Sequence, residues 1–142
     1  MRAITILLAA SIFVGIVPSI ATPVSPNHPI VGTWKITFDL PEGSCDEIYS
    51  IHLDGTTRAT SGEELSQSEY DISDQPNDSG FYKWVDTVTK TNGKPDCHGN
   101  VTRVGDVATA YVIFHRSGDK FLLCVEPSVH RCIGPYVRQR LE

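Results

Sequence analysis

From Ile30 to Leu40 the chain reads IVGTWKITFDL, with Ile, Gly, Trp, Ile, Phe and Leu at even positions and Val, Thr, Lys, Thr and Asp at odd ones. A period of two sends successive side chains to opposite faces, so this segment predicts a strand with one dry and one wet face. Runs of similar character, rich in Thr, Val, Ile, Tyr and Phe, recur near residues 46–53, 56–60, 67–73, 81–90, 107–116, 120–126 and 132–138. Turn signals separate them: Pro41-Glu42-Gly43, Asp54-Gly55, Ser61-Gly62, Pro76 to Gly80, Asn92-Gly93 and Ser117-Gly118-Asp119. Asp-Gly and Asn-Gly accept the positive backbone dihedrals of tight hairpins. No window carries a sustained helical stripe with caps.

About eight short strands joined mainly by hairpins predict an all-β fold, an antiparallel up-and-down β-barrel. A sandwich would need cross-sheet connections, which these short links do not favour. Thr22 to Pro29, TPVSPNHP, is proline-rich and aperiodic, and is expected to be an extended lead-in to a single domain over residues 30–142. Thr91 to Asp106 is the most irregular stretch, expected as a long loop anchored by a disulfide, with room for a short turn of helix.

Composition adds a compartment. Residues 1–21 carry one Arg, an apolar run from Ile4 to Val17, and Ser19 and Ala21 as small residues before a cleavage point, the pattern of a secretory signal peptide. The run falls short of the roughly 20 residues a membrane-spanning helix needs, and no later stretch approaches that length, so the mature chain is expected to have no membrane span. Cleavage would take the formal net charge from -5 to -6. An acidic chain without a basic run offers no electrostatic footprint for nucleic acid or for an anionic membrane surface. The expected location is secreted or periplasmic.

Four cysteines, Cys45, Cys97, Cys124 and Cys132, make an even set in an exported chain, which predicts two disulfides. Of the three possible connectivities, the short VEPSVHR segment between Cys124 and Cys132 favours a local staple there, leaving Cys45 with Cys97. The short paired spacing of zinc sites is missing, and no metal or cofactor is expected. Asn77 and Asn100 head Asn-x-Ser/Thr sequons in expected loops, relevant only in a eukaryotic secretory pathway.

Gly32-Thr33-Trp34 resembles the Gly-x-Trp signature that opens the first strand of lipocalins and related calycin barrels. In that family the Trp plugs the closed end of an eight-stranded barrel and packs against an Arg near the end of the last strand. The resemblance therefore implies that Gly32 and Trp34 build a barrel floor and that Arg138, or Arg140, of YVRQR lies on the Trp ring. Thr109 and Tyr111 loosely resemble the family's Thr-Asp-Tyr motif, with Ala110 in the acidic position. The chain departs from the family by lacking the usual C-terminal helix and by being shorter, which implies a smaller interior. Avidins also begin with Gly-Thr-Trp, but Trp34 and Trp84 are fewer tryptophans than line a biotin pocket.

In FYKWVDTV, alternation sets Tyr82, Trp84, Asp86 and Val88 on one face. If that face points inward, Asp86 is a carboxylate near an aromatic wall, able to orient a polar or cationic ligand; otherwise it sits near a barrel end, solvated or hydrogen-bonded. Tyr111 either faces a cavity or fills the core, and Tyr82, Trp84, Asp86 and Tyr111 form the candidate ligand-binding set. His52 is expected on the outer face or paired across strands. Asp46-Glu47, Glu63-Glu64 and Asp71-Asp74 fall at loops or strand ends, where solvated charge is the expectation.

No nucleophile, base and orienting group converge in the pattern, no Gly-x-Ser-x-Gly elbow occurs, and the histidines at 28, 52, 98, 115 and 130 are scattered. No catalytic residue is assigned; an enzymatic reading would start from Asp86 and Tyr111, and no reaction can be named for it. The leading expectation is a small, partly apolar ligand held in the barrel mouth. The alternative is an inhibitor or immunity-type protein that binds a secreted partner through the 91–106 loop or the Ser61–Gln67 edge.

Overall fold

The computed structural model describes residues 21–140; the expected signal peptide falls, but for its last residue, outside them. Eight strands follow one another: β1 (Gly32–Leu40), β2 (Gly43–Ile51), β3 (Thr56–Ser61), β4 (Glu64–Ile72), β5 (Tyr82–Thr91), β6 (Val107–Phe114), β7 (Lys120–Cys124) and β8 (Cys132–Gln139). Each pairs antiparallel with its neighbour in sequence, and β1 pairs with β8, so the sheet closes into an up-and-down barrel without edges. The described residues contain no helix. The 91–106 segment, with its possible helical turn, is instead a loop with a tight turn at Cys97–Gly99.

Strand β4 begins at Glu64 rather than near residue 67, and β2 at Gly43 rather than 46. In both cases polar residues of loop-like composition continue an alternating strand. The Ser61–Gln67 edge is therefore the tight β3–β4 hairpin, with Ser61 opposite Glu64.

The inward faces sort by size. Toward the end where β1 starts, Ile30, Trp34, Ile51, Val112, Phe121 and Tyr136 are fully or almost fully buried and form the core, each such large side chain contributing about 1.5–3 kcal/mol on burial. Phe121 stacks on Tyr136 with centroids 4.9 Å apart, and Trp34 meets Phe121 edge-on at 4.8 Å. Toward the other end the inward positions of β3 and β4 are Thr57, Ala59, Ser61, Ser66 and Ser68, and small side chains there leave space.

The floor is built by the chain just before β1, which is not simply extended. Turns near residues 26–30 fold it across the barrel end, burying His28 and Ile30. Trp34 Nε1 donates to the Ile30 carbonyl at 2.7 Å. The Arg138 guanidinium lies 4.1 Å over the Trp34 ring and donates to the carbonyls of Val31 (2.8 Å) and Pro29 (2.7 Å). Arg140 reaches Asp119 on the surface instead.

The pairings are Cys45–Cys97, which ties the long loop to β2, and Cys124–Cys132, which staples the β7–β8 connection. Two disulfides fit an extracellular or periplasmic protein. No helix among the described residues is long and apolar enough to cross a membrane.

Candidate functional site

At the end opposite Trp34 the barrel holds a cavity of about 210 Å³. Its wall is assembled by alternation from four strands: Tyr49 from β2; Thr57, Ala59 and Ser61 from β3; Glu64, Ser66 and Ser68 from β4; Asp86 and Val88 from β5. Thr102, Asp106, Val107 and Ala108, from the long loop and the start of β6, complete it.

The loop between β5 and β6 acts as its lid. Cys45–Cys97 anchors one part, and Glu63 N–H donates to the Pro95 carbonyl at 3.2 Å. At the other part, Val88 N–H donates to the Asp106 carbonyl (2.9 Å) and Gly105 N–H to the Val88 carbonyl (2.8 Å). The β3–β4 turn comes so near that a Cβ on Gly62, whose φ is +57°, would lie 3.1 Å from the Asp96 carbonyl carbon. The lid is fastened on both sides of the mouth.

Three inward carboxylates define the electrostatics. Glu47 is 9 % exposed and accepts from Ser61 Oγ (2.9 Å) and Tyr136 Oη (2.7 Å), while Ser61 Oγ itself accepts from Cys97 N–H at 3.1 Å. Glu64 is 5 % exposed and accepts from the Thr102 hydroxyl. Asp86 is hydrogen-bonded by Ser68, but its Oδ1 is closed to solvent and has no partner. Glu47 and Glu64 thus overturn the expectation that the paired acids are solvated: each sits at an inward position of a strand longer than its composition implied.

Burial raises the Asp86 carboxyl to about 6, against the lowering effect of Ser68. Burial also raises Glu64, with Thr102 opposing and the charges of Asp96 and Glu47 adding to the rise. Tyr49 is pushed well above the ordinary phenol value by burial, then by Glu47 and Asp86. Among the described residues no Lys, Arg or His lines the cavity; the ion pairs Lys35–Asp46 (2.7 Å) and Arg140–Asp119 (3.4 Å) involve side chains outside it. Among the described residues no group of three or more His, Cys, Asp or Glu is arranged to hold a metal ion.

Of the four candidate ligand residues, Asp86 alone lines the cavity. Trp84 shares its face but is 4 % exposed and packs edge-on against Tyr49 and Tyr70 in the layer below. Tyr82 is lower still, between His28 (4.9 Å) and Phe114 (5.6 Å). Tyr111 does not join them. The register sets Trp84 opposite Ala110 and Lys83 opposite Tyr111, so the inward residues of β6 are Ala110, Val112 and Phe114, and Tyr111 stands on the outside. Its place in the set rests on the alternation of ATAYVIFHRSG, which separates two faces but does not say which of them turns inward.

Thr57, Glu64 and Ser68 were missed as site residues. Their signal was present as alternation of small and acidic side chains on faces that become apolar further along, as in Glu64, Ser66, Ser68, Tyr70, Ile72. No family model, no curated protein and no solved structure matches this chain.

Proposed function

We propose that this protein is an exported, lipocalin-like binding protein that holds a small molecule in the barrel mouth. The observation that carries the reading is the cavity of about 210 Å³ under a disulfide-anchored lid, walled by side chains that include buried polar atoms without partners. Buried polar groups are normally hydrogen-bonded, and those that are not call for a partner from outside the chain. The cavity is smaller than the roughly 300–1,000 Å³ of sites for drug-sized molecules, so the ligand is small. Its wall favours a polar ligand over the partly apolar one expected from the aromatic strand face. The floor of Gly32, Trp34 and Arg138 supports the lipocalin-like assignment.

Native mass spectrometry of the protein taken from its own host, followed by denaturing extraction, tests this. A reproducible excess mass released as one defined small molecule supports the proposal. A bare protein mass in repeated preparations, four hydrogens below the reduced value, counts against it and turns attention to a protein partner. That second reading draws on Val101, Val104 and Val107, which are 50 %, 65 % and 63 % exposed on and beside the lid.

A further inference from the structure

The interior of the mouth is acidic and, among the described residues, lacks any fixed cation, which bears on what can occupy it. Glu64, Asp86 and Asp106 are the charged residues of the cavity wall, and Glu47 lies directly behind Ser61. The buried acceptors of Glu47 and Glu64 are met by hydroxyl groups, those of Ser61, Tyr136 and Tyr49 on Glu47 and that of Thr102 on Glu64. Hydroxyls supply hydrogen bonds but no compensating charge, and carboxylates gathered in a low-dielectric space repel one another.

A second observation is independent of charge. Thr57 lines the same cavity, is only 2 % exposed, and its Oγ1 has no hydrogen-bond partner. Asp86 Oδ1, also in the wall, is likewise closed to solvent and unpaired. An ionised carboxylate only accepts, and a hydroxyl accepts as well as donates. Two buried acceptors of the cavity wall therefore lack donors, in surroundings already rich in negative charge. The half-buried ring of Tyr49 adds a face that attracts cations.

We propose that the occupant is a small organic cation, a protonated amine whose N–H groups are received by Asp86 Oδ1 and Thr57 Oγ1. The proposal rests on the reading of the cavity as a ligand site. An anion would meet Glu64, Asp86, Asp106 and Glu47 with no counter-charge. A neutral alcohol could donate one hydrogen bond but would leave the carboxylates uncompensated. Charge is what separates the three classes.

Isothermal titration calorimetry on the purified protein compares 2-phenylethylamine with two probes of similar shape, the neutral 2-phenylethanol and the anionic 3-phenylpropionate. At pH 7.5 the amine is expected to bind at least tenfold more tightly than either. Its affinity should fall at pH 5, where the Asp86 carboxyl, raised to about 6, takes up a proton beside Glu64, Asp106, Glu47 and Tyr49 while the ammonium, like that of lysine, stays charged. Asp86→Asn is expected to lower amine affinity at least tenfold. Thr57→Val, which keeps the shape and removes Oγ1, should lower it several-fold and guards against an Asp86 variant that fails to fold.

Equal or tighter binding of the alcohol or the carboxylate overturns the cation inference and leaves a small-molecule site standing. An amine that binds both folded variants as well as the wild type overturns the assignment to Asp86 and Thr57. Absence of binding by all three probes, with the cavity filled by water, overturns both the inference and the reading beneath it.

Discussion

Gly32 and Arg138 occupy mutually dependent positions: a Cβ built on Gly32 would lie 2.6 Å from Arg138 Nη1, the atom that donates to the Val31 carbonyl. Gly32 also has φ +138°, a conformation that side chains rarely adopt. Gly32→Ala therefore has to displace the guanidinium from the Trp34 ring or shift the start of β1. A loss of roughly 2 kcal/mol or more in urea denaturation is expected, combining backbone strain with broken hydrogen bonds. A variant as stable as the wild type would mean that the floor does not depend on this close approach.

Glu47 is held by a residue far along the chain: Tyr136, 89 residues away on the strand that flanks β1 from the other side, donates to it at 2.7 Å. Tyr136→Phe removes one of the donors to a buried carboxylate and is expected to cost about 1.5–3 kcal/mol, the range for hydrogen bonds to charged groups. Glu47→Gln keeps an acceptor for Tyr136 and relieves charge in a space without a cation, so it should cost less than Tyr136→Phe. The two unfolding midpoints, measured side by side, decide the order. A reversal would mean that the charge itself stabilises the barrel.

The architecture was legible in the sequence because closure of a meander needs only alternation and turns, and both recur along the chain. The disulfides were legible because seven residues around Pro127 leave Cys124 and Cys132 close in any hairpin. The mouth was harder to read. Glu47 and Glu64 look like loop acids because local composition cannot distinguish a strand end in solvent from one that turns its alternate side chains into a cavity. Asp86 was found through its aromatic neighbours, yet Trp84 and Tyr82 lie in the floor layers below it. Tyr111 was misplaced by a single register step, which in a strand moves a side chain to the opposite face. Strand pairing, a non-local property, supplies that step.

The two disulfides do different work. Cys45–Cys97 spans 52 residues and holds the lid, whereas Cys124–Cys132 spans 8 and closes a hairpin. In the chain-entropy account the longer closure removes more freedom from the unfolded chain, by roughly 1.5 kcal/mol over the shorter one. The Cys45→Ser/Cys97→Ser protein should therefore melt lower than the Cys124→Ser/Cys132→Ser protein. It should also lose hydrogen-exchange protection at the amides of Cys97 and Val88, which donate to Ser61 Oγ and the Asp106 carbonyl. Unchanged protection there would mean that the lid is held by its hydrogen bonds alone.

The pH dependence of stability contains opposing contributions that a variant can separate. Asp86 is raised by burial to about 6, so the folded protein holds that proton more tightly than the unfolded chain, whose Asp titrates near 4. The stability this confers is fully present below about pH 4 and is lost as pH rises through about 6; Glu64, also raised by burial, acts in the same direction. His28 acts oppositely. Its Nδ1 accepts from Ile30 N–H at 3.2 Å, which requires the unprotonated nitrogen, and burial lowers its pKa. Its contribution is present above about 6.5, the ordinary His value, and is lost as pH falls through the lower folded value. Asp46, lowered by hydrogen bonds from Lys35 and Thr37, and Asp54, lowered by Thr56, also lose stability in acid, though both are exposed and screened. A single melting curve against pH therefore mixes the two signs. The difference between wild type and Asp86→Asn removes the shared terms of His28, Asp46 and Asp54. It should favour the wild type increasingly as pH falls from 7 to 4, by on the order of 2 kcal/mol. Parallel curves over that interval would place the Asp86 carboxylate in contact with water and remove the buried acceptor on which amine binding depends.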